Sequence, residues 1–122
     1  MNALAQTRQL LALQLRTAGV TVHEYVPERI TPPCAVLEPA NPYIDEGTTF
    51  TEMRVHLNVV LFATHATNEV ATATLDQVLC EVINKVDAFD LESVEQPSSY
   101  EVGTGQYLGT RIAFSTTTEI ES

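Results

Sequence analysis

One stretch constrains this chain more than any other: "TFTEMRVHLNVVLFATHATNEVATATLDQVLCEVINKV", residues 49–86. Its first half alternates. Met53, Val55, Leu57, Val59 and Leu61 fall on one face, while Glu52, Arg54, His56 and Asn58 fall on the other before giving way to Val60 and Phe62. This pattern predicts a strand over about residues 50–64, solvated on one face at its start and buried on both faces at its end. Fully extended it would reach ~45 Å at ~3.3 Å per residue, whereas ordinary strands run ~5–6 residues. Two outcomes stay open. The strand overhangs its own core, or a bulge near Asn58 bends it around that core.

The second half of the stretch predicts a helix of ~22 residues. Ala71, Leu75, Val78, Leu79, Val82, Ile83, Val86 and Phe89 recur at helical spacing, and Thr67 is placed to cap the start. An earlier helix is predicted over residues 2–18, between Asn2 as N-cap and Gly19 as the left-handed terminator. Leu4, Leu11, Leu15 and Ala18 form its stripe, broadened by Leu10 and Leu13. Residues 20–26 and the segment "CAVLE" read as shorter strands. "PANPYIDEG" reads as a loop, with turn chemistry at Asn41-Pro42 and Gly47. "SVEQPSSYEVGTGQYLGTRIAFSTTTEI" reads as two strands around a "GTG" turn. The expected order is α, β, β, β, α, β, β. With short connections this implies an α+β domain over residues 1–122: a mostly antiparallel sheet, both helices on one face.

The formal charge of −10 is unevenly spread. Residues 1–23 hold Arg8 and Arg16 and no acid, whereas all sixteen acids follow from Glu24 onward. Such a body lacks the clustered Lys and Arg that phosphate neutralisation requires, so it will not bind nucleic acid that way. Cys34 and Cys80 lie in the apolar contexts "PPCAVL" and "QVLCEVI" and are expected to be free, buried thiols. No apolar run reaches the ~18–20 residues of a membrane span, and no secretory leader is expected.

Reactive constellations are sparse. His23, His56 and His65 lie on separate elements without metal-ligand spacing, so no metal is expected. "GTGQYLG" sits between two predicted strands, where a hairpin turn accounts for it better than a phosphate loop. Cys34 and His56 could in principle form a nucleophile and base. The acids form no general acid/base pair by spacing. A non-enzymatic role without cofactors is expected.

The order and lengths of these pieces carry a resemblance. "PPCAVLEPANPYI", the helix start "ATNEVATATLDQ" and the closing strand "TRIAFSTTTEI" resemble the tail terminator (tail-to-head joining) proteins of long-tailed bacteriophages, over nearly the full length. The resemblance implies a structural virion protein, made in the host bacterial cytoplasm and working at the tail and neck. It would form a homo-oligomeric ring, usually a hexamer, that caps the tail tube and ends its polymerisation. One face would meet the tail tube protein and the other a neck or head-completion protein. DNA would pass through the ring without specific binding.

In such a ring a strand overhang is a pairing site for a neighbouring subunit. Tyr43, Ile44, Phe50 and Arg54 are the expected inter-subunit, tube or neck contacts. Asp45, Glu46 and Glu52 are the expected acidic rim of the lumen, where a basic wall would hold phosphate. Two other readings remain: a head-completion or neck adaptor, and a small monomeric ligand-binding domain or cysteine-dependent enzyme using Cys34 and His56.

Overall fold

Capping chemistry sets the first helix. In the computed structural model, which describes residues 2–47, 51–63, 68–103 and 105–119, α1 spans Ala3–Thr17. The Asn2 side chain accepts from the Ala5 backbone N–H at 2.8 Å, satisfying one of the orphan donors of the first turn. Gly19 follows the helix at φ +84°, the conformation that ends helices cheaply only with glycine. Leu11, Ala12 and Leu15 are fully buried. Leu10 and Leu13, expected to widen the stripe, are exposed. Thr7 is buried instead, its hydroxyl donating to the Ala3 carbonyl at 2.7 Å. That internal bond lets a polar side chain enter the core.

A short strand β1 (Thr21–His23) follows, then β2 (Cys34–Glu46) and β3 (Glu52–Phe62). Helix α2 (Asn68–Lys85) precedes β4 (Asp90–Val94), β5 (Ser98–Val102) and β6 (Gly105–Glu119). The sheet order is β1-β2-β3-β6-β4, with β5 also paired to β6. The fold is therefore α+β, and every strand pair but one is antiparallel among the described residues. The exception is β1, parallel to β2. Residues 24–33 supply the crossover that a parallel pair needs.

Both helices lie on one face. Leu11 and Leu15 of α1, and Leu75 and Val82 of α2, share a core with Val55, Leu57, Val59 and Leu61 of β3 and with Ile112 and Phe114 of β6. A smaller cluster occupies the opposite face, where Ile30 from the crossover meets Cys34, Val36, Val60 and Phe62. The expected switch of β3 from one-sided to two-sided burial has this cause. Beyond Asn58 the outer face gains a second cover.

Three details depart from expectation. The segment "PANPYIDEG" continues β2 through Glu46 rather than forming a loop. Between Pro39 and Ile44, β2 advances five positions while β3 advances two, from Leu57 to Val55. The bulge, not a turn, absorbs the prolines, and it lies on β2 where β1 no longer pairs. Second, the long strand is not unique. β3 is 11 residues, whereas β2 has 13 and β6 has 15. Phe50 and Thr64, at the ends of the expected span, lie outside the described residues. Third, the tail forms three strands, because residues 90–94 pair with β6 as well. The α2 helix is 18 residues, not ~22; its expected cap, Thr67, lies outside the described residues, as does Thr104 of the expected turn. Neither described helix is long and apolar enough to cross a membrane.

Candidate functional site: a three-stranded arm and its ionic lattice

β1 pairs with β2 only over Cys34–Val36, and β4 reaches along β6 only to Ser115. Past those limits β2, β3 and β6 continue together as a three-stranded arm, paired through Met53 with Glu46 and Glu52 with Glu119. Among the described residues no strand covers the outer edge of β2 after Val36, nor that of β6 after Ser115. Open edges of this kind template pairing with another chain.

The expected contact and rim residues sit on this arm in different states. Tyr43 folds back, half-buried against the main core, and its hydroxyl accepts from Arg8 Nη2 at 2.9 Å. Ile44 is 42% exposed, beside Val55 in register. Glu46 is exposed at the strand end. Glu52 stands directly opposite Glu119, a like-charge cross-strand neighbour. Phe50 lies outside the described residues.

Arg54 and Asp45, expected at a contact and a rim, take part in an ionic lattice on the outer sheet face. Arg54 Nη2 donates to Asp90 Oδ2 at 2.8 Å and to Ser115 Oγ at 2.6 Å, and Nη1 donates to Thr117 Oγ1 at 3.2 Å. Ser115, fully buried, donates onward to Glu92. A one-residue bulge in β4 between Leu91 and Ser93 makes this possible. The extra residue, Glu92, turns to the same face as Asp90. Its Oε1 lies 3.7 Å from Arg54 Nη2 and 3.8 Å from His56 Nδ1. His56 Nε2 is 3.0 Å from Asp45 Oδ2. The hydrogen bond to Asp90 is the main reason the Arg54 guanidinium is held above its ordinary pKa. One cation thus ties β3 to both β6 and β4. The lattice joins four strands that pair only edge to edge.

Further along the same face, Arg111 Nε donates to Glu38 Oε1 at 2.9 Å and Nη1 to Glu95 Oε2 at 3.2 Å. Burial works against its charge, yet Glu38 and then Glu95 more than offset this, and its pKa is raised. Its guanidinium lies 5.4 Å from the centre of the Tyr100 ring.

The cysteine alternative meets a geometric obstacle. Cys34 pairs with Phe62, six positions along β3 from His56, which places the two residues ~20 Å apart. Burial pushes the Cys34 thiol up to about 11, away from the depressed values of reactive cysteines. Cys80, expected to be buried, is exposed on α2. A thiol reagent at neutral pH is therefore expected to label Cys80 rapidly and leave Cys34 untouched in the folded chain. Preferential labelling of Cys34, read by peptide mass mapping, would contradict its placement. The folded state holds the Cys34 proton more tightly than the unfolded state does. Its contribution to stability is thus full below about pH 9 and is lost as pH rises toward about 11, at about 1.4 kcal/mol per pH unit.

His23 lies on β1, away from the lattice, and His65 lies outside the described residues. The described residues bring no three His, Cys, Asp or Glu side chains together as a metal ion would need. Compared with known proteins, the chain matches no protein-family profile and no curated sequence.

Proposed function

We propose that this chain is a ring-forming structural protein of a phage virion, which caps the tail tube, ends its polymerisation and joins it to the neck. The observation that supports this reading most is the arm. Its two open edges lie on opposite sides, β2 on one and β6 on the other. A head-to-tail contact between unlike edges generates a ring when the rotation per subunit closes. The lattice stiffens the arm that such a contact would load. Glu46, Glu52 and Glu119 at its tip suit a wall along which DNA slides without sticking.

Light scattering after size exclusion, over a concentration series, tests ring closure in solution, and capping of purified tail tubes tests the role. A mass near six subunits and tubes blocked from further growth are the expected results. Tubes that keep growing at every protein concentration would remove the terminator role and leave the head-side adaptor. Glu46→Lys is the cleanest probe of the lumen, because Glu46 is exposed whereas Asp45 is engaged by His56. Its fold is expected to be unchanged and particle infectivity to fall by about tenfold or more as a basic rim holds phosphate. Normal infectivity would take Glu46 out of the lumen.

A further inference from the structure

The two edges of the sheet carry unlike patches. Past the end of β1, the crossover leaves Tyr25 and Val26 68% and 66% exposed. Arg8 of α1 stands 5.0 Å from the centre of the Tyr25 ring and donates to the Tyr43 hydroxyl at 2.9 Å. Both partners are neutral, and no carboxylate lies within ion-pair distance of Arg8 among the described residues. Arg8 is thus a held guanidinium whose charge is unanswered. Over residues 2–33, Arg8, Arg16 and Arg29 face only Glu24 and Glu28. An exposed Tyr beside an Arg is the pairing that anchors interfaces.

The opposite edge is β4. All of its residues are exposed, and among the described residues no strand lies beyond it. It has neither the Pro nor the Lys that guards an open edge. Leu91 and Val94 pair with Phe114 and Ile112, so they extend the core face of the sheet, yet they are 44% and 37% exposed. Residues 87–95 add Asp87, Asp90, Glu92 and Glu95 and no cation. Arg54 and Arg111 reach three of these acids from inner strands, and Arg111 is shared with Glu38. Two cations therefore leave the edge negative. The Asp90 side chain is 73% exposed.

Register sets the two patches at one height. His23 pairs with Val36 on a parallel strand, so Tyr25, two residues on, falls near the level of Glu38. Glu38 pairs with Asn58, Asn58 with Ala113, and Ala113 with Ser93, which Leu91 and Val94 flank. A second copy displaced sideways, without sliding along the strands, sets the cation and aromatic against the carboxylate and apolar residues. We propose that the Arg8, Tyr25 and Val26 edge of one copy docks on the Asp90, Leu91 and Val94 edge of the next. The proposal rests on the ring reading and names its seam. The contact is head-to-tail, as a ring requires, and β1 and β4 lie on the same sides as the open arm edges of β2 and β6. The overall charge of −10 opposes association at long range, but salt screens it beyond ~8 Å. At contact the unlike patches decide.

The test is crosslinking between full-length copies. One chain carries Val26→Cys and another Leu91→Cys, both with Cys80→Ser so that buried Cys34 is the only other thiol. They are mixed and treated with a short bis-maleimide. A third chain with Val70→Cys, exposed on α2, is the control. The adduct between the Val26 and Leu91 positions is expected to exceed either control pairing by about tenfold. Its yield should fall several-fold at ~1 M salt, where the Debye length is ~3 Å. It should fall likewise when Arg8→Gln is added to the Val26→Cys chain, with an unshifted urea midpoint showing that chain folded. Control adducts of equal abundance, or a yield indifferent to both salt and Arg8→Gln, would overturn the seam. So would a chain that stays monomeric by light scattering at every concentration and gives no adduct, although capping of tail tubes by that chain would keep the terminator role. Adducts of Val26→Cys with tube protein instead of a second copy would also overturn it and assign this edge to the tube. An edge adduct in chains that never cap tubes would support the seam and remove the role.

Discussion

Val59→Asp is expected to leave no folded protein at 25 °C, read by loss of the circular-dichroism signal of the sheet and of cooperative urea unfolding. Val59 has no exposed surface and sits between Leu37 of β2 and Ile112 of β6. Both helices close over that position. The substitution first forfeits burial of a valine, about 1.5–3 kcal/mol. It then adds a carboxyl group for which an apolar surround offers no partner. Ionised, the group costs several kcal/mol; protonated, it still leaves polar atoms unsatisfied at about 1–3 kcal/mol. The sum is comparable to the whole stability of a small protein, about 5–15 kcal/mol. Val59→Ala is the control. It removes two methyls without adding a polar group and should cost about 1–3 kcal/mol while remaining folded. A folded Val59→Asp chain with an unshifted urea midpoint would mean that this face of β3 is not the core.

The alternation of β3 made that core face readable from residues alone, and so did the caps of α1, because both depend on neighbours in sequence. What was not readable depends on partners. Pro39, Asn41 and Pro42 look like a turn. They are tolerated within β2 because a bulge there breaks the register and β1 has already stopped pairing. Sequence shows the prolines but not which edge is open. Leu10 and Thr7 exchange their expected places because helical periodicity ranks side chains by polarity, whereas Thr7 neutralises its own hydroxyl against the Ala3 carbonyl. The ionic lattice was invisible for a related reason. Asp45, Arg54, Glu92 and Ser115 come together only through register, and Glu92 reaches the group only through a bulge. Of the expected contact residues, Ile44 keeps the exposure a contact requires, while Tyr43 and Arg54 are engaged within the chain. The contact between the crossover and the β5–β6 hairpin joins distant parts of the chain, and no local pattern announces it.

That junction rests on Gly103. It adopts φ +60°, and a Cβ there would stand 2.5 Å from the carbonyl oxygen of Glu28. Gly103→Ala should therefore suffer two penalties: the left-handed backbone, about 1–2 kcal/mol for a residue with a Cβ, and a contact with backbone that no rotamer change relieves. Gly19 separates the two effects. It has φ +84° but nothing within 4 Å of its Cβ position, so Gly19→Ala carries the backbone term alone. Gly103→Ala is expected to cost about 1–3 kcal/mol more than Gly19→Ala in urea unfolding, by analogy with overpacked sites. The excess has a location. To escape the clash, the crossover must lift from the hairpin, drawing Ile30 out of the second cluster. Amide shifts in Gly103→Ala should then concentrate at residues 26–30 and 100–102. Equal destabilisation by the two alanines, with undisturbed amides at residues 26–30 and 100–102, would mean that the contact at Glu28 does not hold the crossover to the hairpin.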